Sequence, residues 1–537
     1  MSDGAQRRAI GGRSLVVAAV VAIVALGRLR ALTDPALFGH DEALYLVQGM
    51  VWAEGMLPYR DCWVNKPPLL TASFAAVHAL FGASVTPHRV IQALAVVAAC
   101  LVAARLAAAW RGRDAAIAAA VSAALLASTQ LPPEDMLPCL AEPLFLVPLA
   151  LSALLLLRRP EGQGSPRAAA WSVFGAGAAL GCAALIRQNA LLLLPLYLAG
   201  AVLHPGLGAG TSVFRRAGGA AALLAGMVAS ALPWALLLRE VTPEVVFWTW
   251  TLPRAGHRFD PGALLGAGPT LLGPHLLLAN PGVVGLAALG LGLGVRSLVR
   301  RDRGPAAFRT GFLVAWGLAA VPLSVLGGRP YPHYLVMLAP GLGVLAGAGW
   351  VALRERIRSD RGRRGLLAIA GVYVLGAVGL TMVRNSRWDG HEDLDAARRS
   401  PLLQSIWRST RPHERITVIG ACPSLYYRAR RLPAAPDVSG EILFMRWVPP
   451  GVCLLEPPGP GGRPTPYGAL LLEGIARRSS LVIDLTPLPA GATVAGQQLS
   501  WFAMGALEDL PALSDWLRTA CVAWPEPVEG ARVLVPR

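Results

Sequence analysis

Over the first 383 positions, apolar residues gather in runs of about 18 to 23 at their fullest, the length a helix needs to cross the roughly 30 Å hydrocarbon core of a bilayer. Such runs fall at 14–32, 88–110, 114–131, 139–157, 168–186, 190–204, 217–238, 281–299, 310–327, 334–353 and 365–383. They predict a polytopic all-α membrane domain of about eleven spans. Two apolar pieces do not fit as spans. Leu69 to Ser84 is short and reads as an interfacial helix, and Gly262 to Asn280, broken by Gly and Pro, reads as interfacial or re-entrant.

Beyond Val383 the pattern changes. Charge, Pro and Gly rise, and no further run could span. Arg415 to Ala421 and Leu481 to Leu485 have the composition of strands, Tyr467 to Arg478 and Pro511 to Thr519 that of helices, and Cys521 to Pro536 that of a hairpin turning at Val528-Glu529-Gly530. The expected organisation is a membrane domain over 1–383, whose first external loop covers 33–87, and a small α/β domain over 384–537.

Charge gives the orientation. The net charge of +17 comes largely from arginines clustered between alternate spans, among them Arg7, Arg8 and Arg13, then Arg296, Arg300, Arg301 and Arg303, and most densely Arg354 to Arg364. The intervening loops are nearly free of them, which is the positive-inside pattern and not a nucleic-acid surface. The N-terminus is therefore expected in the cytoplasm, with the 33–87 loop and the 384–537 domain on the extracytoplasmic side. The seven cysteines form no CxxC pair and no metal-ligand spacing, so no cysteine-held metal and no cofactor are expected. A disulfide among Cys422, Cys453 and Cys521 is permitted by that placement but not assigned by it.

The first external loop concentrates the chemistry. It holds His40-Asp41-Glu42, Tyr45, Pro58-Tyr59-Arg60-Asp61 and Asn65-Lys66-Pro67-Pro68. Lys66 is the single lysine of the chain. A sequence that otherwise uses arginine has a compact ammonium there, suited to a point contact with an anion. Acids at the edge of hydrocarbon are costly and mark functional positions, which singles out Asp41 and Glu42 and also Glu142 and Asp135 near the fourth span.

The run DEALYLVQGM, then PYRD, then NKPPLL, following one N-terminal span, resembles the first external loop of the C-type superfamily (GT-C) of membrane glycosyltransferases. The likeness is to the bacterial branch that includes the lipid A aminoarabinose transferases and, more distantly, to the protein O-mannosyltransferases. It implies transfer of a sugar from a polyprenyl-phosphate donor to an acceptor hydroxyl of a glycan, lipid or protein, at the outer face of a bacterial inner membrane. It implies that Asp41 is the general base, with Glu42 orienting the acceptor or the motif, and that Lys66 neutralises the lipid phosphate. Arg258, Arg254 and Arg329 are implied as further phosphate ligands, and Tyr45, Tyr59, Glu142 and Tyr334 as acceptor or sugar contacts. For the acid near the fourth span the likeness is divided between Asp135 and Glu142. Phe247, Trp248 and Trp250 suit an interfacial aromatic belt.

Two other classes remain. A transporter or lipid flippase would carry paired halves with matched broken helices at mid-membrane, whereas the polar residues here gather in outer loops. A non-catalytic envelope-assembly protein on the same fold would have no need of Asp41, Glu42 and Lys66 together.

Overall fold

A computed structural model describes the chain except residues 1–2, 159–165, 208–212, 252–267, 301–303, 326–330, 391, 421, 437–472, 474, 486, 489–491, 495–496, 499–510, 524–526, 530 and 537. Helix α1 (Asp3–Gly27) leads into a short connection, then α2 (His40–Ala53), α3 (Pro68–Phe81), α4 (Val85–Arg111), α5 (Arg113–Ser128), α6 (Ala141–Leu157) and α7 (Pro166–Ile186). After these come α8 (Leu194–Val202), α9 (Val213–Leu237), α10 (Pro281–Val299), α11 (Pro305–Val325), α12 (Ala339–Arg356) and α13 (Asp360–Arg387).

Each of the eleven apolar runs is a helix. Seven are long and apolar enough to cross a membrane, and Ser14–Gly27, Ala141–Leu157 and Gln188–Val202 are shorter apolar helices. The protein is a multi-pass membrane protein. Leu69 to Ser84 lies largely in α3, of 14 residues. Within Gly262 to Asn280, the described part is a wide-turned helix, Gly268–Leu278, of 11 residues. Even at the 1.5 Å per residue of an α-helix, it would cover at most about half of a hydrocarbon core.

Small residues let these helices close on one another where lipid offers no hydrophobic drive to pack. A Cβ on Gly290 of α10 would stand 1.9 Å from the Leu345 carbonyl oxygen of α12, and one on Gly349 of α12 would stand 1.9 Å from that of Leu286. The two backbones therefore touch at reciprocal glycines. Gly177 and Gly226 do the same for α7 and α9.

The C-terminal part adds α14 (Pro401–Ser409), β1 (Arg415–Ile419), α15 (Pro423–Ala429), β2 (Ser479–Asp484), the two-residue strands β3 (Thr493–Val494) and β4 (Gln497–Gln498), α16 (Pro511–Ala520), β5 (Cys521–Ala523) and β6 (Arg532–Pro536). Its main sheet has the order β1-β2-β6-β5. Strands β1 and β2 are parallel, with Ile416 opposite Leu481, while β6 runs antiparallel to β2 and β5. Both hydrophobic runs named from sequence are thus strands of this sheet, β1 at its edge and β2 inside it, and Val528 pairs with Ala531 where the hairpin was expected to turn. Cys422 is a free thiol; Cys453 lies outside the described residues.

This unit is tied to the first loop. The amide of Glu392 donates to the Leu37 carbonyl at 3.0 Å, and the Leu37 amide donates back to Oε2 of Glu392 at 3.0 Å. Arg428 of α15 holds the same carboxylate and reaches the Pro35 carbonyl at 3.1 Å. Farther along the loop, the Trp63 amide donates to the Pro436 carbonyl at 2.8 Å.

Candidate active site

Asp41 lies in the first turn of α2, half-buried, and makes no hydrogen bond or ion pair with any described residue. Its neighbour is the opposite case. Glu42 is 0 % exposed. Its Oε1 accepts from Arg89 Nε and the Cys139 amide, each at 2.8 Å, and its Oε2 from the Phe38 amide at 2.8 Å and Arg89 Nη2 at 2.6 Å. Burial by itself would raise the carboxyl, but the Arg89 charge and these donors hold it below its ordinary value.

Arg89, near the start of α4, spends its remaining donors on the loop. It donates to the carbonyls of Ala31, Asp34 and Ala36, and its guanidinium stacks 3.9 Å above the Phe38 ring. One arginine thus fixes the chain on both sides of the turn that presents Asp41. Because the Cys139 amide is part of the same knot, the loop before α6 is drawn over the start of α2 as well.

Lys66 follows a tight turn built around Tyr59. Tyr59 has φ 72°, in the left-handed region, and is 0 % exposed; its amide donates to the Cys62 carbonyl at 2.7 Å and its hydroxyl to the Lys66 carbonyl at 2.8 Å. A bulky residue there costs of order 1–3 kcal/mol, held by surrounding contacts. The Lys66 backbone is thereby fixed, and its side chain is half-buried. Tyr45 is buried against Phe74, ring centroids 5.6 Å apart. Both tyrosines serve the frame of the loop with the groups seen here.

A second polar group assembles beside this loop. Glu142, at the start of α6, pairs with Arg187, which follows α7, and lies 3.8 Å from Nε2 of His333. His333 Nδ1 bonds Asp135 at 2.5 Å, and the Arg187 guanidinium stands 4.4 Å from the Tyr334 ring. Asp135 and Glu142, alternatives in the sequence, thus meet on the two nitrogens of one imidazole.

Arg254, Arg258 and Arg329 lie outside the described residues. Trp248 departs from the expected interfacial belt. It is 0 % exposed and stacks on Trp63 at 4.8 Å, so it packs the loop against the bundle instead of facing headgroups.

No family model matches the chain, and no curated protein matches it either. Solved structures do. The apo structure of ArnT from Cupriavidus metallidurans is similar over 98 % of both chains, with a TM-score of 0.58 and 16 % identity. ArnT from the same organism bound to undecaprenyl phosphate gives 0.57, again at 16 % identity and 98 % of both chains. The oligosaccharyltransferase AglB from Archaeoglobus fulgidus, in complex with an inhibitory peptide and a dolichol-phosphate, gives 0.52 at 13 % identity, covering 97 % of this chain and 74 % of that one. The chain shares the fold of ArnT over nearly its whole length, the C-terminal sheet included, and that of the matched part of AglB.

Proposed function

We propose that the chain is an integral membrane glycosyltransferase that moves a sugar from a polyprenyl-phosphate donor to an acceptor hydroxyl on the extracytoplasmic face. The observation that carries this reading is the pairing of a partnerless Asp41 with a fully engaged Glu42 in one helical turn. A general base must be held firmly while its own oxygens stay available to the proton it takes. Glu42 and Arg89 do the holding; Asp41 is left to act.

In the proposed step the acceptor oxygen attacks the anomeric carbon as its proton passes to Asp41. The bond from that carbon to the phosphate oxygen breaks, and the phosphate leaves with the electron pair. Lys66 meets the developing charge, with Arg258, Arg254 and Arg329 as further cations. Charge met by fixed cations in a water-poor site is the main source of acceleration in such a step, and it leaves no requirement for a metal. Glu142, Tyr334 and their partners Arg187, His333 and Asp135 form the wall where sugar or acceptor would rest. The undecaprenyl phosphate of ArnT and the dolichol-phosphate of AglB support the donor class.

The test is transfer of radiolabelled sugar from polyprenyl-phosphate donors by purified full-length protein, with Asp41→Asn as comparison. The expected result is label in the acceptor fraction with the wild type and a loss of at least about 10²-fold in the variant, the scale of removing a general base. Equal transfer by Asp41→Asn would remove it as the base, and folded wild type inactive with every donor would overturn the reading.

A further inference from the structure

Helices α1, α5, α10, α12 and α13 enclose a groove of about 1010 Å³ with almost wholly apolar walls, including Ile23, Val121, Leu286 and Val374. At one end stand Asp114 and Arg354, ion-paired to each other; at the other stand Leu125, Pro281 and Val378. Along α13 it runs from Leu366 to Val378, about 18 Å at 1.5 Å per residue.

The rim beyond Val378 is polar and incompletely bonded. The hydroxyls of Thr381 and Thr129 donate at 2.8 Å to the Ala377 and Leu125 carbonyls of their own helices and stand 3.4 Å from the Thr129 carbonyl and Oδ1 of Asn280, which brings α13, the end of α5 and the start of α10 together. Beside them, buried Nε2 and Oε1 of Gln130, Nδ2 of Asn280, and Nε and Nη2 of Arg384 have no hydrogen-bond partner among the described residues. Arg384 lies one turn beyond Thr381, on the same face. A buried polar group left unbonded costs about 1–3 kcal/mol, more if charged. Several of them on one rim mark a place built for a ligand.

The chemistry of that ligand follows from Arg384. Its Nε and Nη2 form the edge with which Arg89 holds Glu42 and Arg428 holds Glu392. It is a fork for two oxygens of one acid, carboxylate or phosphate. Among the described residues Arg384 makes no ion pair, with Glu134 or with any other acid. An acid above an apolar groove is the head group of a lipid, and a phosphate is one that fits the fork.

Length separates the lipids. Arg384 stands six residues past Val378, so an anchored phosphate lies about 27 Å from the far end of the groove. That is most of a hydrocarbon core of roughly 30 Å, about twice what the acyl chains of one leaflet span. We propose that the groove seats a polyprenyl phosphate, its phosphate on Arg384 with Gln130 and Asn280, and its isoprenoid chain between α10 and α13. This rests on the reading of the protein as a polyprenyl-phosphate-dependent transferase, and adds to it a holding site for the carrier beside the transfer centre of Asp41 and Lys66.

The experiment uses full-length protein in phosphatidylcholine nanodiscs, a diazirine-bearing undecaprenyl phosphate, and mapping of the labelled peptides. Gly285 and Gly371 line the groove, and a Cβ on either meets nothing within 4 Å, so Gly371→Phe fills the groove without a backbone clash. Label is expected on α10 and α13 of the wild type, at least tenfold weaker in Arg384→Gln and in Gly371→Phe, and within twofold of wild type in Lys66→Ala. Label confined to other helices, or unchanged in both groove variants, overturns this site and leaves the transfer reading intact. Loss of the groove label to excess phosphatidylglycerol would make the occupant an ordinary phospholipid and also overturns it. No label anywhere on folded protein overturns both.

Discussion

Glu42 and Arg89, 47 positions apart, meet at 2.6 Å directly beneath the turn that carries Asp41. A buried pair of this kind adds little net stability when intact, yet removing one partner costs about 3–5 kcal/mol because a charge is left behind. Arg89→Met should therefore lower the unfolding temperature in detergent and reduce transfer even where the protein remains folded. Its worth as a positioning residue is read from kcat: Arg89→Lys, which keeps the charge without the fork, should keep donor KM within threefold while kcat falls. A donor KM that rises with kcat unchanged would assign Arg89 to donor binding instead.

The same pair sets an acid limit. Glu42 is held below the 4.5 of a free carboxyl, so its contribution to stability is complete above about pH 4.5 and is lost as pH falls through the lower folded value. Thermal unfolding of the wild type between pH 7 and pH 3 should show the midpoint dropping below pH 4.5. In Arg89→Met that drop should shrink, because its cause has gone. Equal slopes in the two proteins would sink the assignment.

Lys66→Ala should act on the donor. With one cation gone from the proposed phosphate site, donor affinity is expected to fall by about 10- to 100-fold, the loss of a charge-assisted contact of roughly 1.5–3 kcal/mol. Acceptor KM should be unchanged. An effect confined to the acceptor would remove Lys66 from the phosphate.

Glu142 and Arg187 provide a pairwise test. Arg187→Met and Glu142→Gln should each impair transfer, while the double variant should be no worse than the poorer single one, a coupling of about 0.5–3 kcal/mol. Additive losses would mean that the two act on different things.

Glu392→Ala removes the acceptor for Leu37 and Arg428 together. The expected readout is faster proteolysis between α13 and α14, with transfer reduced because residues 35–38 loosen next to Asp41. Proteolysis at the wild-type rate would show that Trp63 and Pro436 suffice to hold the C-terminal unit.

The parts legible in the sequence were those with a local signal. Eleven helices follow from apolar run length, because in a bilayer each span must satisfy its own backbone. The paired parallel strands at Ile416 and Leu481 follow from β-branched runs. Lys66 stood out as the single lysine, and Asp41 as an acid at the edge of hydrocarbon. Partnerships had no such signal. Asp41 and Glu42 are adjacent and chemically alike, and only the fold separates them, one sealed by Arg89 and two amides, the other left without a partner. Arg89 could have been flagged as an arginine just inside an apolar run, but nothing local names its five acceptor atoms. Glu392 and Arg428 sit in ordinary polar stretches, and their role depends on a contact with Leu37 across 355 positions.

That last contact has a consequence for when the protein becomes competent. The turn carrying Asp41 leaves the ribosome early, while Glu392, which fastens Leu37, is made 355 residues later. At the usual 5 to 20 residues per second the interval is roughly 20 to 70 s. Throughout that time the first loop has Arg89 and the Cys139 amide to hold it but lacks this outer fastening, and a chain that stalls before its final span never gains it. The fastening thus works as a check on completeness: only a chain synthesised through its last membrane crossing adds the Glu392 clasp to the loop of its proposed base.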